Sequence, residues 1–203
     1  MCDVIVRPMT ASDAEAVGRM FFRLVGSGEG ADAAYTEYVR GAFGLGSYFS
    51  AESVLVAEVD GEVVGVCARF FGPCVVPPVP DCLSVGRREV EEGLSGVEET
   101  VAWGCDWAGD GGVYVSSLFV EEAFRRRGVG RMLMSEAVAG ARCAKLLCRA
   151  DNDAAFDMYV GLGFRGTGLT FVMPEGDDDD APLQAVCMMV LETSGDDDML
   201  SKK

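Results

Sequence analysis

The most informative segment of this 203-residue chain is Leu118-Phe119-Val120-Glu121-Glu122-Ala123-Phe124-Arg125-Arg126-Arg127-Gly128-Val129-Gly130-Arg131. An apolar strand ends at Val120, a short basic loop follows, and a helix begins at the two glycines. A helix start leaves four backbone N–H groups unpaired and carries about half a positive charge. Glycines there let a phosphate approach the backbone closely. The pattern predicts a site for a phosphorylated ligand; the alternative is a helix start with solvated arginines.

The charge of this stretch contrasts with that of the whole chain. The sequence holds 17 Lys and Arg residues against 33 Asp and Glu, a formal net charge of −16. Four of the 17 cationic residues fall between Arg125 and Arg131. The glycine spacing is not that of a Walker loop, because no Gly-Lys-Ser/Thr follows, nor of the dinucleotide fingerprint, because Leu133 occupies the third glycine position.

The elements around this stretch predict the fold class. A strand at Val113–Val120, a helix at Gly128–Ala141 and a strand at Ala144–Cys148 predict one parallel crossover. The other predicted strands follow one another in ways that favour antiparallel pairing, so we expect an α/β (mixed α+β) fold with a mostly antiparallel sheet. These other elements are a strand at Val4–Val6, a helix after Ser12 with Thr10 or Ser12 as its cap, a less regular helix within 27–50, a hairpin of Val54–Val59 and Val63–Phe71 around Asp60-Gly61, a helix at Asp151–Gly161, and strands at Phe164–Met173 and Leu183–Leu191.

The chain is predicted to form one domain, residues 1–193, followed by a polar tail, residues 194–203. Within the domain, residues 72–112 form a loop-rich acidic insertion, with eight acidic and two basic residues and four prolines. We expect one acidic helix in it, near Arg87–Thr100. A second acidic run, Glu175–Asp180, separates the last two strands.

Composition excludes several classes of function. The apolar fraction of 49% suffices for a sizeable core. The strong negative charge argues against coating nucleic acid. The chain has no histidine, which excludes Ser-His and Cys-His nucleophilic sites and nearly every mixed His/Cys zinc site. We therefore expect no metal.

The cysteines and the apolar runs indicate the compartment. None of the eight cysteines forms a C-x-x-C pair, and we interpret them as free thiols of a reducing cytosol. The N-terminus has no signal-peptide pattern and no apolar run approaches ~18 residues. The sequence thus predicts a cytoplasmic protein that does not enter a membrane.

Two motifs of this chain resemble the GCN5-related N-acetyltransferase (GNAT) family. The family signature Arg/Gln-x-x-Gly-x-Gly/Ala, preceded by a Leu-x-Val strand end, is similar to Arg125-x-x-Gly128-x-Gly130 after Leu118-Phe119-Val120. A later Asn, Tyr and Gly-Phe pattern resembles Asn152, Tyr159 and Gly163-Phe164. The resemblance is weakest across residues 26–50 and 72–112. Glu122 stands where many relatives carry proline, which affects the shape of the loop.

This resemblance implies an enzyme that uses acetyl-CoA as acyl donor, with no metal. The pyrophosphate would be held by the backbone N–H groups from Arg126 to Arg131, a segment that includes Gly128, Val129 and Gly130. The positive charges of Arg125 and Arg127 would lie nearby. The pantetheine arm would pair like a strand with Leu118, Phe119 and Val120, where two parallel strands splay apart. Asn152 would bind or position the arm, and Phe156 would pack beside it.

The chemistry requires an acid and a base. Tyr159 lies where the family holds the acid that protonates the departing thiolate; the alternative is an aromatic side chain with a structural role only. A backbone N–H near Phe119 or Val120 is expected to stabilise the negative charge on the thioester oxygen. The base is not identified: the strand has Ser116 and Ser117 where relatives often carry a carboxylate, and Glu58, Glu98, Glu99 and the acidic run are candidates only by charge.

The acceptor is expected to be a primary amine: a small cationic amine, a peptide N-terminus or a lysine. The acidic insertion and the acidic run favour a cationic acceptor, although acidic loops also serve solubility. The alternative function is a non-catalytic acyl-CoA-binding regulatory module of the same fold. A third candidate, a metal-buffering acidic protein, lacks the ligand spacing of a calcium loop. The chain is expected to be a monomer or a homodimer.

Overall fold

The computed structural model describes residues 3–25, 31–44, 47–81, 83, 86–174 and 183–192. The order of elements matches the prediction, with a second helix in the insertion. The strands are β1 (Val4–Pro8), β2 (Val54–Val59), β3 (Glu62–Phe70), β4 (Gly112–Val120), β5 (Cys143–Arg149), β6 (Arg165–Pro174) and β7 (Leu183–Glu192). The helices are α1 (Ala14–Val25), α2 (Ala31–Ala42), α3 (Arg87–Leu94), α4 (Val97–Ala108), α5 (Val129–Ala137) and α6 (Asp153–Val160).

The seven strands form one mixed sheet in the order β1-β2-β3-β4-β5-β7-β6. Every neighbouring pair is antiparallel except β4 and β5, which are parallel. The prediction of a mostly antiparallel sheet with one parallel pair is confirmed. A helical crossover between the two parallel strands is the connection that such a pair requires.

Helices cover both faces of the sheet, and the alternation of side chains along β2 shows why. Val54 and Val56 pack in a core with α1, α2, α3 and α4, whereas Leu55 and Ala57 pack in a second core with α5 and Tyr159 of α6. All four are essentially buried. Because successive side chains of a strand point to opposite faces, an unbroken apolar run such as β2 must be covered on both sides.

The insertion was predicted with one helix and contains two. Gly96 adopts a positive φ of 67° and separates α3 from α4. Gly104 of α4 lies directly on Tyr114 of β4: a Cβ added to the glycine would come 2.4 Å from the tyrosine ring. The insertion is therefore packed on the sheet by α4 and is less loop-like than its prolines suggested.

The predicted boundaries differ from the observed ones mainly at helix ends. Helix α5 ends at Ala137 rather than Ala141. Thr10, not Ser12, is the cap: it precedes a 3₁₀ turn, Ala11–Asp13, that leads into α1, and the Asp13 carboxylate accepts a hydrogen bond from the Thr10 amide at 2.7 Å. The hairpin of β2 and β3 turns at Asp60-Gly61 as predicted. The acidic run at 175–180 and the tail at 194–203 lie outside the described residues.

Candidate active site

The parallel strands β4 and β5 open a gap in the middle of the sheet. Their pairing runs from Gly112 opposite Cys143 to Val115 opposite Leu146 and stops there. Strand β4 continues to Val120, still paired with β3, and β5 continues to Arg149, still paired with β7. The predicted splay at Leu118–Val120 is therefore present, and each strand is held from its other side.

The edge of β4 that faces this gap has no partner strand beyond Val115. The Glu121 amide donates a hydrogen bond to the Val64 carbonyl of β3 at 2.9 Å. Since backbone groups of an antiparallel strand alternate in direction, Phe119 also faces β3, whereas Leu118 and Val120 face the gap. Of the two N–H groups expected to stabilise an oxyanion, this geometry favours that of Val120 over that of Phe119.

A β-bulge in β4 places two serines on one face of the sheet. Ala68 of β3 pairs with Ser117, and the next residue, Arg69, pairs with Val115, so Ser116 is the extra residue. Both serine hydroxyls lie within hydrogen-bond distance of the Tyr48 hydroxyl, Ser117 at 3.0 Å and Ser116 at 3.2 Å. The bulge thus brings two successive side chains to the same partner, which a regular strand does not do.

The turn between β4 and α5 adopts a positive φ at two positions, which is strained for Arg126 but not for a glycine. Arg126 has a φ of 63° and Gly128 a φ of 86°. Gly128 is the N-cap of α5, and space is open where its Cβ would be. The first backbone bond of the helix runs from the Met132 amide to the Gly128 carbonyl at 3.0 Å. The N–H groups of residues 129–131 therefore precede the helical hydrogen-bond pattern and are directed out of the helix start.

Gly130 has a different role from Gly128. A Cβ on Gly130 would lie 3.2 Å from the Met158 sulfur of α6 and 3.7 Å from a methyl group of Val120. The absence of a side chain at Gly130 permits the close packing of α5 against α6 and β4. The sequence pattern alone attributed both glycines to phosphate access.

Three of the four clustered arginines contact protein groups. Arg125 donates from Nε to the Val120 carbonyl at 2.9 Å, and its guanidinium lies 5.7 Å from the Phe119 ring centre. The guanidinium of Arg127 lies 5.4 Å from the Phe124 ring centre. These contacts hold the loop against the end of β4 and leave the guanidinium groups exposed.

Arg131 connects α5 to the end of α6. It donates from Nη1 to the Gly161 carbonyl at 2.9 Å, which is where a helix C-terminus carries partial negative charge. No hydrogen bond or ion pair involves the side chain of Arg126 in the described part of the chain. Arg126 is thus the arginine of the cluster that is most available to an anion.

Helix α6 begins at the other side of the gap. Asn152 is its N-cap, with Oδ1 accepting from the Ala155 amide at 3.2 Å, and its side-chain NH₂ points away from that bond. Phe156 is 36% exposed, one turn further along. Both predicted residues therefore lie at the surface near the start of α6.

Tyr159 lies on the face of the sheet that α5 and α6 cover. It is 8% exposed, packs on Phe164 with ring centres 5.8 Å apart, and belongs to the core that contains Leu118. Burial, together with the nearby thiols of Cys67 and Cys148, raises the pKa of its hydroxyl above the ordinary value of 10. The hydroxyl thus stays protonated at neutral pH and is a hydrogen donor.

The structure accounts for the three glutamates that charge alone had suggested as bases. Glu58 accepts hydrogen bonds from Arg7 at 2.8 and 2.9 Å, at the β1 edge of the sheet. Glu98 accepts from the Val76 amide within the insertion. Glu99 is exposed on α4. None of these carboxylates hydrogen-bonds to the serines of β4.

Tyr48 was missed by sequence reasoning. It lies between α2 and β2, where the sequence patterns are least regular, and no motif singles it out. Only the packing of Phe21, Phe49 and Phe70 around its ring directs its hydroxyl to β4. No sequence signal would have found this contact.

Two further observations concern the described residues. No group of three or more His, Cys, Asp or Glu side chains there could hold a metal ion. Among the helices listed above, none is both long and apolar enough to cross a membrane.

Comparisons with known proteins agree with this geometry. Similar solved structures include an N-acetyltransferase from Staphylococcus aureus Mu50, with a TM-score of 0.62, 15% identity, and coverage of 92% of this chain and 100% of that chain. The diaminobutyrate acetyltransferase EctA from Paenibacillus lautus, solved with L-2,4-diaminobutyric acid and coenzyme A, has a TM-score of 0.54, 15% identity and coverage of 97% and 99%. The protein yncA from Salmonella typhimurium, solved with its cofactor acetyl-CoA, has a TM-score of 0.52, 17% identity and coverage of 93% of both chains.

At these identities the solved structures establish the fold alone, and no curated protein sequence matches the chain significantly. The sequence model of the acetyltransferase (GNAT) family matches residues 28–164, more than half of the chain. That match contains both motifs, the gap between β4 and β5, and the start of α5. The chain therefore belongs to the GNAT acetyltransferase family, whose acyl donor is acetyl-CoA.

Proposed function

We propose that this protein is an N-acetyltransferase that moves an acetyl group directly from acetyl-CoA to a primary amine. The observation that carries the proposal is the end of parallel pairing at Val115 and Leu146, five residues before β4 ends at the N-terminal turn of α5. The open edge of β4 therefore leads directly to the N-terminus of α5. An extended ligand with a phosphorylated end needs these two features one after the other.

The residues fit acetyl-CoA as donor. The N–H groups of residues 126–131 would hold the pyrophosphate, with the positive φ of Arg126 and Gly128 turning the chain around it. The pantetheine arm would pair like a strand along Leu118–Val120 through the gap-facing backbone groups of Leu118, because the Val120 carbonyl already accepts from Arg125. Asn152 would position that arm through its free NH₂, and Phe156 would cover it.

The chain also supplies the groups that the chemistry needs. When bound, acetyl-CoA supplies an acetyl group activated as a thioester. The Val120 N–H faces the gap and would stabilise negative charge on the carbonyl oxygen. The Tyr159 hydroxyl would give its proton to the departing thiolate, whose parent thiol has a pKa of ~8.5.

The function is tested by measuring thiol release from acetyl-CoA in the presence of a pooled library of primary amines. We expect release that depends on amine, together with coenzyme A binding by calorimetry. Absence of coenzyme A binding by the folded protein would overturn the donor site. Binding without turnover on any amine would instead support the alternative function, a non-catalytic acyl-CoA-binding module.

That alternative has one observation in its favour: Ser116 and Ser117 occupy the face of β4 where a carboxylate base would be expected. Against it stands Tyr159, which packs in the same core as Leu118 of the open strand and would supply the proton in the proposed reaction. A module that only binds has no use for a proton donor at that place, and we therefore favour the enzyme.

The acceptor is proposed to be a small cationic amine, a peptide N-terminus or a lysine. The support is electrostatic: the formal net charge is −16, and α3 and α4, which pack on the face of the sheet opposite to Tyr159, carry Glu91, Glu92, Glu98 and Glu99. We propose that the protein acts in the cytoplasm as a monomer or homodimer. Comparing the rates for cationic and neutral amines at low and high salt tests the electrostatic preference.

A further inference from the structure

The two tryptophans of the chain lie together on helix α4 and meet a phenylalanine of β6, the strand at one edge of the sheet. The ring centres of Trp103 and Trp107 are 5.4 Å apart, and the ring of Phe171 meets that of Trp103 edge-on at 6.1 Å. Trp103 and Phe171 are each 40% exposed. We call these three side chains the aromatic surface. Exposed aromatic side chains in one contiguous group are typical of a surface that binds another molecule.

The aromatic surface is held firmly on the sheet. The Lys145 side chain of β5 donates a hydrogen bond to the Trp107 carbonyl, and its ammonium lies 4.9 Å from the centre of the Trp107 ring. Gly104, next to Trp103 in the chain, packs directly on Tyr114 of β4. Because the helix that carries both tryptophans is anchored in this way, little conformational freedom is lost when a partner binds.

Two carboxylates of α4 border the aromatic surface. Glu99 precedes Trp103 by four residues and Asp106 follows it by three, so helical geometry places both beside the Trp103 side chain. Both residues are exposed. Within the part of the chain that the structure describes, neither accepts a hydrogen bond or forms an ion pair. Negative charges next to the face of an aromatic ring suit the binding of a cation.

A groove of about 360 Å³ lies at the other end of α4 and includes Glu99. Its walls are both apolar and acidic and include Pro77, Pro78, Leu94, Glu91, Glu98 and Glu99. The Glu91 carboxylate pairs with Arg87. Glu98 accepts a hydrogen bond from the Val76 amide. An apolar wall that ends in the unpaired carboxylate of Glu99 suits an aliphatic side chain with a cationic end.

The charge of the molecule selects the kind of occupant. A second copy of the chain has the same formal net charge of −16. The acidic run Glu175–Asp180 is negative as well, so Glu99 and Asp106 would repel both. A partner with positive charge is attracted to the same place. Charge complementarity therefore favours a basic segment of another protein.

The spacing of side chains on α4 predicts the pattern of that segment. Glu99 and Trp103 are four residues apart, which is about 6 Å along the helix axis. In an extended segment, alternate side chains point to the same side and lie about 6.6 Å apart. A cationic side chain two residues away from an apolar one can therefore reach Glu99 while the apolar one packs on Trp103.

We propose that the aromatic surface docks an extended segment of a partner protein in which a lysine or arginine lies two residues from a large apolar side chain. The apolar side chain packs on Trp103 and Phe171. The cation pairs with Glu99, and Asp106 adds to the attraction. This docking is separate from acetyl transfer and does not rest on the proposed function.

Tryptophan fluorescence tests the proposal directly, because both tryptophans of the chain belong to the aromatic surface. Three peptides with blocked ends are titrated into the full chain without acetyl-CoA: Ser-Lys-Ser-Leu-Ser-Lys-Ser, the same peptide with serine in place of leucine, and the same peptide with glutamate in place of lysine. The first should shift the emission to shorter wavelength and bind about tenfold more tightly than the other two. Its affinity should fall as salt is added. Equal affinity of the first peptide and either of the others would overturn the proposal.

Variants that keep both tryptophans locate the binding. Glu99→Gln and Phe171→Leu should each weaken binding of the first peptide by about three- to tenfold. The matched controls are Glu62→Gln, an exposed charge at the start of β3, and Phe71→Leu, an exposed phenylalanine just after β3. Both controls should bind the peptide like the wild type. Equal losses in variants and controls would show that the peptide is not held at the aromatic surface.

The tail of the chain is a competing occupant, since residues 194–203 include Lys202 and Lys203. A double variant, Lys202→Gln with Lys203→Gln, should bind the first peptide with unchanged affinity. Tighter binding in that variant would assign the aromatic surface to the tail of the chain itself and would overturn the proposal of a partner protein.

Discussion

The guanidinium of Arg131 donates a hydrogen bond to the carbonyl of Gly161, 2.9 Å away and 30 residues later in the chain. This bond joins the start of α5 to the end of α6, the two helices on which the proposed donor site depends. An arginine that looks in the sequence like part of a phosphate site therefore has a structural partner. The distinction between Arg131 and Arg126 gives the first prediction.

Arg131→Gln should lower the free energy of unfolding by about 0.5–1 kcal/mol, since it removes an exposed hydrogen bond from a charged donor. Arg126→Gln should leave stability unchanged and weaken coenzyme A binding several-fold. Urea unfolding and calorimetry measure the two quantities. The reverse pattern would show that Arg131, and not Arg126, meets the phosphates.

Gly128→Ala and Gly130→Ala test two different roles of glycine: a positive φ at Gly128 and close packing of α5 against α6 at Gly130. At Gly128 an alanine is strained by the positive φ, at a cost of about 1–2 kcal/mol. Because the backbone relaxes to relieve this strain, the N–H groups of the turn change position. We expect coenzyme A binding to weaken roughly tenfold or more. At Gly130 the new methyl group meets the flexible Met158 side chain, so the loss should be smaller. Equal affinities in the two variants would contradict the role given to the turn.

Tyr159→Phe should retain coenzyme A affinity and lose turnover, because only the proton donor is removed. Loss of a general acid typically costs 10²–10⁴-fold in rate. The rate is measured by thiol release and the affinity by calorimetry, with Tyr38→Phe as the control for removal of a buried hydroxyl. An unchanged rate would leave Tyr159 with a structural role only.

Asp13→Asn should destabilise the protein at neutral pH by about 1–2 kcal/mol, because Asp13 accepts hydrogen bonds from Arg7 at 2.7 and 2.9 Å. Burial acts to raise the pKa of Asp13, but Arg7 and Thr10 outweigh it and hold that pKa below its usual value of 3.8.

A lowered folded-state pKa means that the contribution of Asp13 is complete above about pH 4–5 and is lost as the pH falls through the folded pKa. The difference in unfolding free energy between the wild type and Asp13→Asn should therefore shrink below pH 4. Urea unfolding from pH 7 to pH 3 measures it. A difference that is constant with pH would mean that the charge of Asp13 contributes nothing.

Gly104→Ala tests whether the insertion is an integral part of the fold. The new methyl group would meet the Tyr114 ring at 2.4 Å, so we expect a loss of about 1–3 kcal/mol. Gly41→Ala, in α2 with no atom within 4 Å of the added Cβ, should be neutral or stabilise by up to about 1 kcal/mol. Thermal unfolding compares them. Equal melting temperatures would indicate that α4 is not firmly packed on β4.

Local patterns predicted most of the elements because each depends on near neighbours in the chain. The alternation around Asp60-Gly61 gave the β2–β3 hairpin, and the strand–loop–glycine order after Leu118 gave β4 and α5. Prediction was weakest where a boundary depends on tertiary contacts. The prolines at 73–80 suggested loops, but Gly104 packs on Tyr114, and α4 thereby covers one face of the sheet as the other helices do.

Short segments and composition were enough to predict that a strand ends at Val120, that a helix begins at Gly128, and that no histidine chemistry is available. No local pattern indicates that Ser116 is the bulged residue or that Tyr48, 68 residues earlier, meets its hydroxyl. Tertiary structure decided these contacts, as it decided the bond from Arg131 to Gly161. Such contacts join residues far apart in the chain, and only the packing of helices on both faces of one sheet brings their atoms within hydrogen-bond distance.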